Sequence, residues 1–342
     1  MNSKEKGMTL LEVLLSTAIF LVIVAITFSS LSTFWRGFTG IDSTHQLKSY
    51  SQKTVNKLQL RLSECKRIFQ DDTVGNLFLA RLKGTEALLP DSRLSIIEET
   101  GSLDPTSSSF VSSSVGNSIL FTSTEFPEVL EEIFDSGGDS YTVRIDKYIF
   151  NYYYLSPISN YTLGGTCGIR LLEWHSQGYA DGGQIGAISN ATKRANTIIA
   201  LRNRGIQYAW MPSGSDPEDN ATFYRLNTNG TVTSQGSGFW IGEDNLGQDT
   251  YTQKDMTHFA KGTLGGKYRA GISPNTGGTF NPGNSVPLFA AANGSFPAGF
   301  EIVIVGPRSA HRIFIRVVLA AEGYDLQKVI ENSVLVSVRN LW

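Results

Sequence analysis

Cysteine, histidine and charge are all scarce in this 342-residue chain: two cysteines, four histidines and a charged fraction of 18%. With only Cys65 and Cys167, no zinc spacing, C-x-x-C pair or disulfide framework can be built within one chain, and a single bridge between them is the one pairing left open. The histidines, His45, His175, His258 and His311, stand apart from one another in sequence. No H-E-x-x-H helix or G-x-S-x-G elbow occurs, and Gly262 to Lys267 has the wrong spacing for a phosphate-binding loop. An enzyme needs a nucleophile with its base, or a metal site, and neither is legible, so a non-enzymatic chain without a cofactor is expected.

A strong excess of one charge sign is missing too. The formal net charge is −2, and removing residues 1–7 takes away two lysines and one glutamate to leave −3. Nothing in that balance favours nucleic acid as a partner. Acids gather at Asp216, Glu218 and Asp219, and again at Glu243, Asp244 and Asp249. They are candidate calcium ligands, being hard oxygen donors, but neither cluster reproduces the D-x-D-x-D-G loop, and solvated turns are the simpler expectation. Apolar residues make up 41% of the chain, far from the signature of disorder, so a folded body is expected.

What the chain does possess is one long apolar run at its start. Between Met8 and Trp35 the only charged side chain is Glu12. About 20 apolar residues span the hydrocarbon core of a bilayer, so residues 8–28 suffice. Lys4 and Lys6 precede the run, and basic residues stay on the cytoplasmic side, which places everything after Arg36 outside. An ordinary secretory signal has a shorter apolar region, of about 7 to 15 residues, and no acid within it. Glu12 is the informative residue, because an acid in an apolar span costs about 2.5 to 3.5 kcal/mol and is normally kept for a partner. Were the chain cut after Gly7, the new amino terminus on Met8 would lie four residues from Glu12, on the same helix face.

The run K-G-M-T-L-L-E-V, from Lys6 to Val13, resembles the type IV prepilin signature: a short basic leader ending in glycine, an apolar mature start, and glutamate at the fifth mature position. Gly7, Met8 and Glu12 match it position by position, with Met8 in place of the commoner phenylalanine. The resemblance implies cleavage after Gly7 and N-methylation of Met8 by the prepilin peptidase of the inner membrane. It also implies that Glu12 sets subunit registry among other pilins or pseudopilins in a helical filament, as in a type IV pilus or the pseudopilus of type II secretion.

Beyond Gly37 and Gly40, apolar residues recur at Leu47, Val55, Leu58, Leu62, Cys65 and Phe69, a helical spacing that predicts one amphipathic helix over 42–70. The resemblance implies that this helix and the membrane helix form one shaft. From Asp71 onward, short runs of aromatic and β-branched residues are separated by Gly, Ser, Asn and Pro clusters, which predicts antiparallel sheet. Strands are expected near 118–123, 142–155, 168–175, 197–202, 206–211, 300–305, 312–320 and 334–339. Residues 212–297, rich in Gly and Asn and poor in aliphatics, are expected to hold small hairpins or an accessory subdomain seeded by Phe239, Trp240 and Tyr251.

The expected fold is therefore α+β, in four parts: a leader at 1–7, a transmembrane helix at 8–36, an amphipathic helix outside the cytoplasm at 37–70, and a β-rich head at 71–342. Several features of the head resemble the J-type pseudopilins of type II secretion and the W-type minor pilins. These are a Tyr-rich strand at 148–154, G-I-R-L-L-E-W at 168–174, I-Q-Y-A-W at 206–210, a strand after Pro307, and a closing S-V-R-N at 337–340. The resemblance implies a minor subunit. A single-pass anchored binding or adhesion protein is the alternative, and an anchored hydrolase a further one.

Overall fold

The computed structural model describes residues 9–89, 92–163, 166–211, 222–236, 238–257, 259–263, 266–273, 299–307, 309–323 and 326–339. It divides into two compact units, Met1–Lys48 and Ser49–Trp342.

One helix, α1 (Leu10–Ser63), runs without interruption through the two glycines. Gly37 has open space around it, and a single glycine costs a helix about 1 kcal/mol, too little to break one this long. The amphipathic stripe is real as far as Leu62, with Val55, Leu58 and Leu62 buried. Its last two members belong elsewhere. The expected helix over 42–70 stops at Ser63, and Cys65–Phe69 forms strand β1, with Ile68 opposite Phe121 and Phe69 opposite Leu120 of β3 (Ile119–Phe134). A spacing of four places Cys65 and Phe69 on one helix face, but it equally places them on one face of a strand, and the available ladder decided the matter.

After β1 come α2 (Thr73–Leu79), β2 (Ile97–Glu98) and β3, followed by the long strand β4 (Ser140–Leu163) and β5 (Thr166–His175). Next are β6 (Tyr179–Asp181), α3 (Gly182–Gly186), α4 (Ala191–Asn203), β7 (Tyr208–Trp210), β8 (Phe223–Leu226), β9 (Val232–Gln235), β10 (Thr252–Asp255), β11 (Phe259–Thr263) and β12 (Gly266–Ile272). The chain closes with β13 (Phe300–Val305), β14 (Ala310–Gly323) and β15 (Leu326–Arg339). These strands form one hydrogen-bonded network in the order β2-β13-β14-β12-β5-β4-β6-β7-β8-β9, with β1 joined through β3 to β4, β10 on β5, β11 on β12 and β15 on β14. Pairings are antiparallel except β2 with β13 and β6 with β7. The architecture is α+β, as expected.

Strand β4 is the hub, because it pairs with β3, β5 and β6. Its alternation sends Tyr148, Phe150, Tyr152 and Tyr154 into an aromatic core with Phe69, Phe78, Trp174, Tyr179, Trp210 and Phe223. Phe150 meets Trp210 at 5.0 Å between ring centroids, and Phe69 meets Phe78 at 4.4 Å. Each such side chain contributes roughly 2–3 kcal/mol by burial. Tyr153, on the other face of β4, stacks on Phe121 instead.

Residues 197–202, expected as a strand from the β-branched run T-I-I, are helical and belong to α4. Asn190 caps that helix by accepting the Lys193 N–H at 3.0 Å, and Thr197, Ile198 and Leu201 form its buried face, at spacings of one, three and four. Ile198 and Leu201 pack with Leu130, Ile133, Val143 and Ile145 of the β3–β4 ribbon, a second core that needs a helix to cover it.

The described parts of 212–297 do contain hairpins, β8–β9 and β11–β12. They join the main sheet rather than forming a unit of their own, since β10 and β12 pair with β5, and Phe239 and Tyr251 pack against the aromatic core.

Candidate functional site

Gly7 and Met8 lie outside the described residues, so the local geometry at the start of the chain begins with Thr9 and Glu12. The Thr9 N–H donates to Glu12 Oε2 at 2.8 Å, the Thr9 hydroxyl lies 3.1 Å from the same oxygen, and the Glu12 N–H lies 3.4 Å from Thr9 Oγ1. This is a reciprocal capping box, which satisfies two of the helix's four orphan N–H groups. The T-x-x-E spacing was present in the sequence as the signal for it, beside the reading of Glu12 as a residue held for another chain.

Around that acid the helix is apolar on every side. Among the described residues α1 alone is long and apolar enough to cross a membrane. Leu10, Phe20, Phe28 and Phe34 are each more than 60% exposed. Such a surface is stable only against lipid or the helices of other subunits. The hydroxyls of Thr17, Thr27 and Thr33 do not oppose this, because each donates to the carbonyl four residues back, on Val13, Ile23 and Ser29, at 2.8 to 3.0 Å.

In the head, the sequence candidates scatter. Asp216, Glu218 and Asp219 lie outside the described residues, as does His258. Glu243 pairs with Lys83 at 2.6 Å, and Asp244 Oδ1 closes a turn by accepting the N–H groups of Leu246 and Gln248 at 2.8 Å, so both acids are already engaged. No group of three metal-ligating side chains occurs among the described residues. His311 is buried with Nδ1 2.9 Å from the Gly306 carbonyl, and His175 contacts the Thr252 hydroxyl. Cys65 is a free, buried thiol whose pKa burial pushes far up, which makes it unreactive. Cys167 lies on β5, and its side chain is outside the described set.

A feature that the sequence reading did not locate is a cleft of about 610 Å³ bounded by α3, α4 and β7–β9, with Ile185, Ile198, Met211 and Tyr224 as its apolar lining and Arg194 as its one charged side chain. Gly230 shapes one wall of it. Its φ of +79° suits glycine, and a Cβ there would meet Ala195 of α4 at 2.7 Å.

Comparison with known families gives a match at residues 2–28 to the prokaryotic N-terminal methylation motif. No curated protein and no solved structure matches. The matched segment contains Gly7, Met8, the Thr9–Glu12 cap and most of the exposed apolar part of α1. The chain therefore carries the type IV prepilin signature at the start of a helix long and apolar enough to cross a membrane.

Proposed function

We propose that this chain is a minor type IV pilin-like subunit, or pseudopilin, whose leader is removed after Gly7 and whose new amino terminus, Met8, is methylated by prepilin peptidase. The helix then holds the subunit in the inner membrane with its head outside the cytoplasm, until the subunit joins other pilins or pseudopilins near the tip of a pilus or type II secretion pseudopilus. The head works by packing and recognition, without catalysis or a cofactor.

The observation that supports this reading most is Glu12, the one charged side chain on the helix from Leu10 to Trp35, inside the matched motif. A capping box explains why the isolated helix accepts it, and the amine of a methylated Met8 on a neighbouring subunit is the partner that would repay its burial. Mass spectrometry of the N-terminal peptide from membrane-extracted protein tests the reading. The expected species starts at N-methyl-Met8; a peptide spanning Lys6 to Met8, or a start after Ser29, overturns it.

The anchored binding or adhesion protein stands as a second reading, supported by the cleft between α3, α4 and β7–β9. Such a protein would keep its leader and would not enter a filament.

A further inference from the structure

The last strand of the head has one open side. β15 pairs along its whole length with β14 and, among the described residues, with nothing else. Which backbone groups face outward follows from the ladder. Val318 of β14 donates to the Gly299 carbonyl at 2.6 Å and accepts from the Ser273 N–H at 2.9 Å, so even-numbered residues of β14 face β13 and β12, and odd-numbered ones face β15. The unshifted register sets Ile315 opposite Val334 and Ile313 opposite Val336. Val334 and Val336 therefore turn their N–H and C=O groups inward to β14, whereas Ser333, Leu335 and Ser337 present theirs at the free edge.

Edge strands are normally protected by shortness, a bulge, proline or charge. β15 is 14 residues long, its register with β14 has no shift, and residues 332–338 contain no charge, proline or glycine. Val336 and Val338 are buried on one face, while Leu335 is 50% exposed on the other. An unguarded edge of this kind is a template for another strand, and the sequence says which one. Ser333-Val334-Leu335-Val336-Ser337 reads identically in both directions. Laid antiparallel on a copy of itself with Leu335 opposite Leu335, it sets Ser333 against Ser337, Val334 against Val336, and Glu331 against residue 339, an arginine in the sequence. A two-fold interface requires this self-complementarity, and a chance edge has no reason to show it.

We propose that β15 is an interaction surface through which two copies of this chain join edge to edge, in antiparallel register about Leu335, to make one continuous sheet. The proposal does not depend on how the N-terminus is processed.

The test is made on the full chain in detergent, with its mass followed by sedimentation over a dilution series. The wild-type chain is expected to dimerise. Leu335→Lys and Leu335→Glu each set like charges opposite each other across the two-fold axis, and each should weaken the dimer by roughly tenfold or more. Mixing the two variants should restore dimers that contain one copy of each. Because Leu335 is half exposed, both variants should keep the wild-type circular dichroism spectrum, and a variant that fails this check is replaced by Ser333→Lys with Ser337→Lys in one copy, mixed with Ser333→Glu with Ser337→Glu in the other. A wild-type chain that stays monomeric, a dimer that survives both charges as one held by α1 would, or a mixture that does not recover each overturns the proposal. So does a monomeric wild-type chain that instead loses a different protein's strand on Leu335→Lys.

Discussion

Lys57 of α1 forms an ion pair with the carboxylate of Glu173 on β5, which is fully buried and also accepts a hydrogen bond from the Tyr153 hydroxyl at 2.7 Å. Burial and the adjacent carboxylate hold the Tyr153 phenol far above its usual range, so it remains the donor. Lys57→Met leaves Glu173 with a dry, half-satisfied charge and should cost about 3 kcal/mol of stability. Adding Glu173→Gln should recover much of that, since the amide oxygen still accepts from Tyr153. Chemical unfolding of both singles and the double closes the cycle; additive losses would mean that the two residues do not act as a pair.

Glu128 of β3 bonds Lys147 of β4 at 2.8 Å and Arg204, just past α4, at 2.9 Å. The hydrogen bond from Lys147, aided by Arg204, holds its carboxyl below the usual carboxylate value. A depressed folded-state pKa gives stability that is present above the unfolded value and lost as pH falls through the folded one. The melting temperature should therefore fall on acidification from about pH 5 to pH 3, and Glu128→Gln should flatten that slope. An unchanged slope in the variant would remove Glu128 from the account.

At Glu12 the local and intermolecular roles separate by substitution. Glutamine at N3 still closes a capping box with Thr9, but it carries no charge for an amine. Glu12→Leu should insert into membranes as well as wild type or better, yet lose co-purification with partner pilins, and Glu12→Gln should fail in the same way. Wild-type assembly by the glutamine variant would reduce Glu12 to a helix cap.

The proposed minor role predicts scarcity. A head covering residues 71–342 is large for a closely repeated helical lattice, whereas a tip leaves room for it. Because Glu12 is retained, the expected position is next to the cap rather than on it. Proteomics of sheared filaments should find this chain far below the major pilin, and uniform immunogold labelling along the shaft would contradict the assignment.

Much of this molecule was legible as residues. The apolar run with its single acid and the alternation of Ile313, Ile315 and Val317 against Phe314 and Arg316 follow from local rules, and the helix, the motif and β14 agree with them. Arg316 is the exception within that strand. A lone charge in an alternating strand has no partner in its own window, and this one is buried between Glu301 at 2.6 Å and Glu331 at 2.8 Å, because β13 and β15 flank it on both sides.

Sequence by itself thus determined the long apolar helix and the methylation motif at its start, because each depends on a contiguous stretch of residues. Tertiary structure alone decided the rest. Cys65–Phe69 became a strand because β3 offered it a ladder, and residues 197–202 became helical because the β3–β4 ribbon needed an apolar cover. Residues 252–255 and 266–272 joined the main sheet because β5 still had partners to take. Each of these outcomes rests on a contact between residues far apart in the chain, such as the Thr54 hydroxyl on the Met256 carbonyl at 3.2 Å. Local propensities differ by only about 1 kcal/mol per residue, so partners at that distance, which a short window of sequence does not contain, outweigh them.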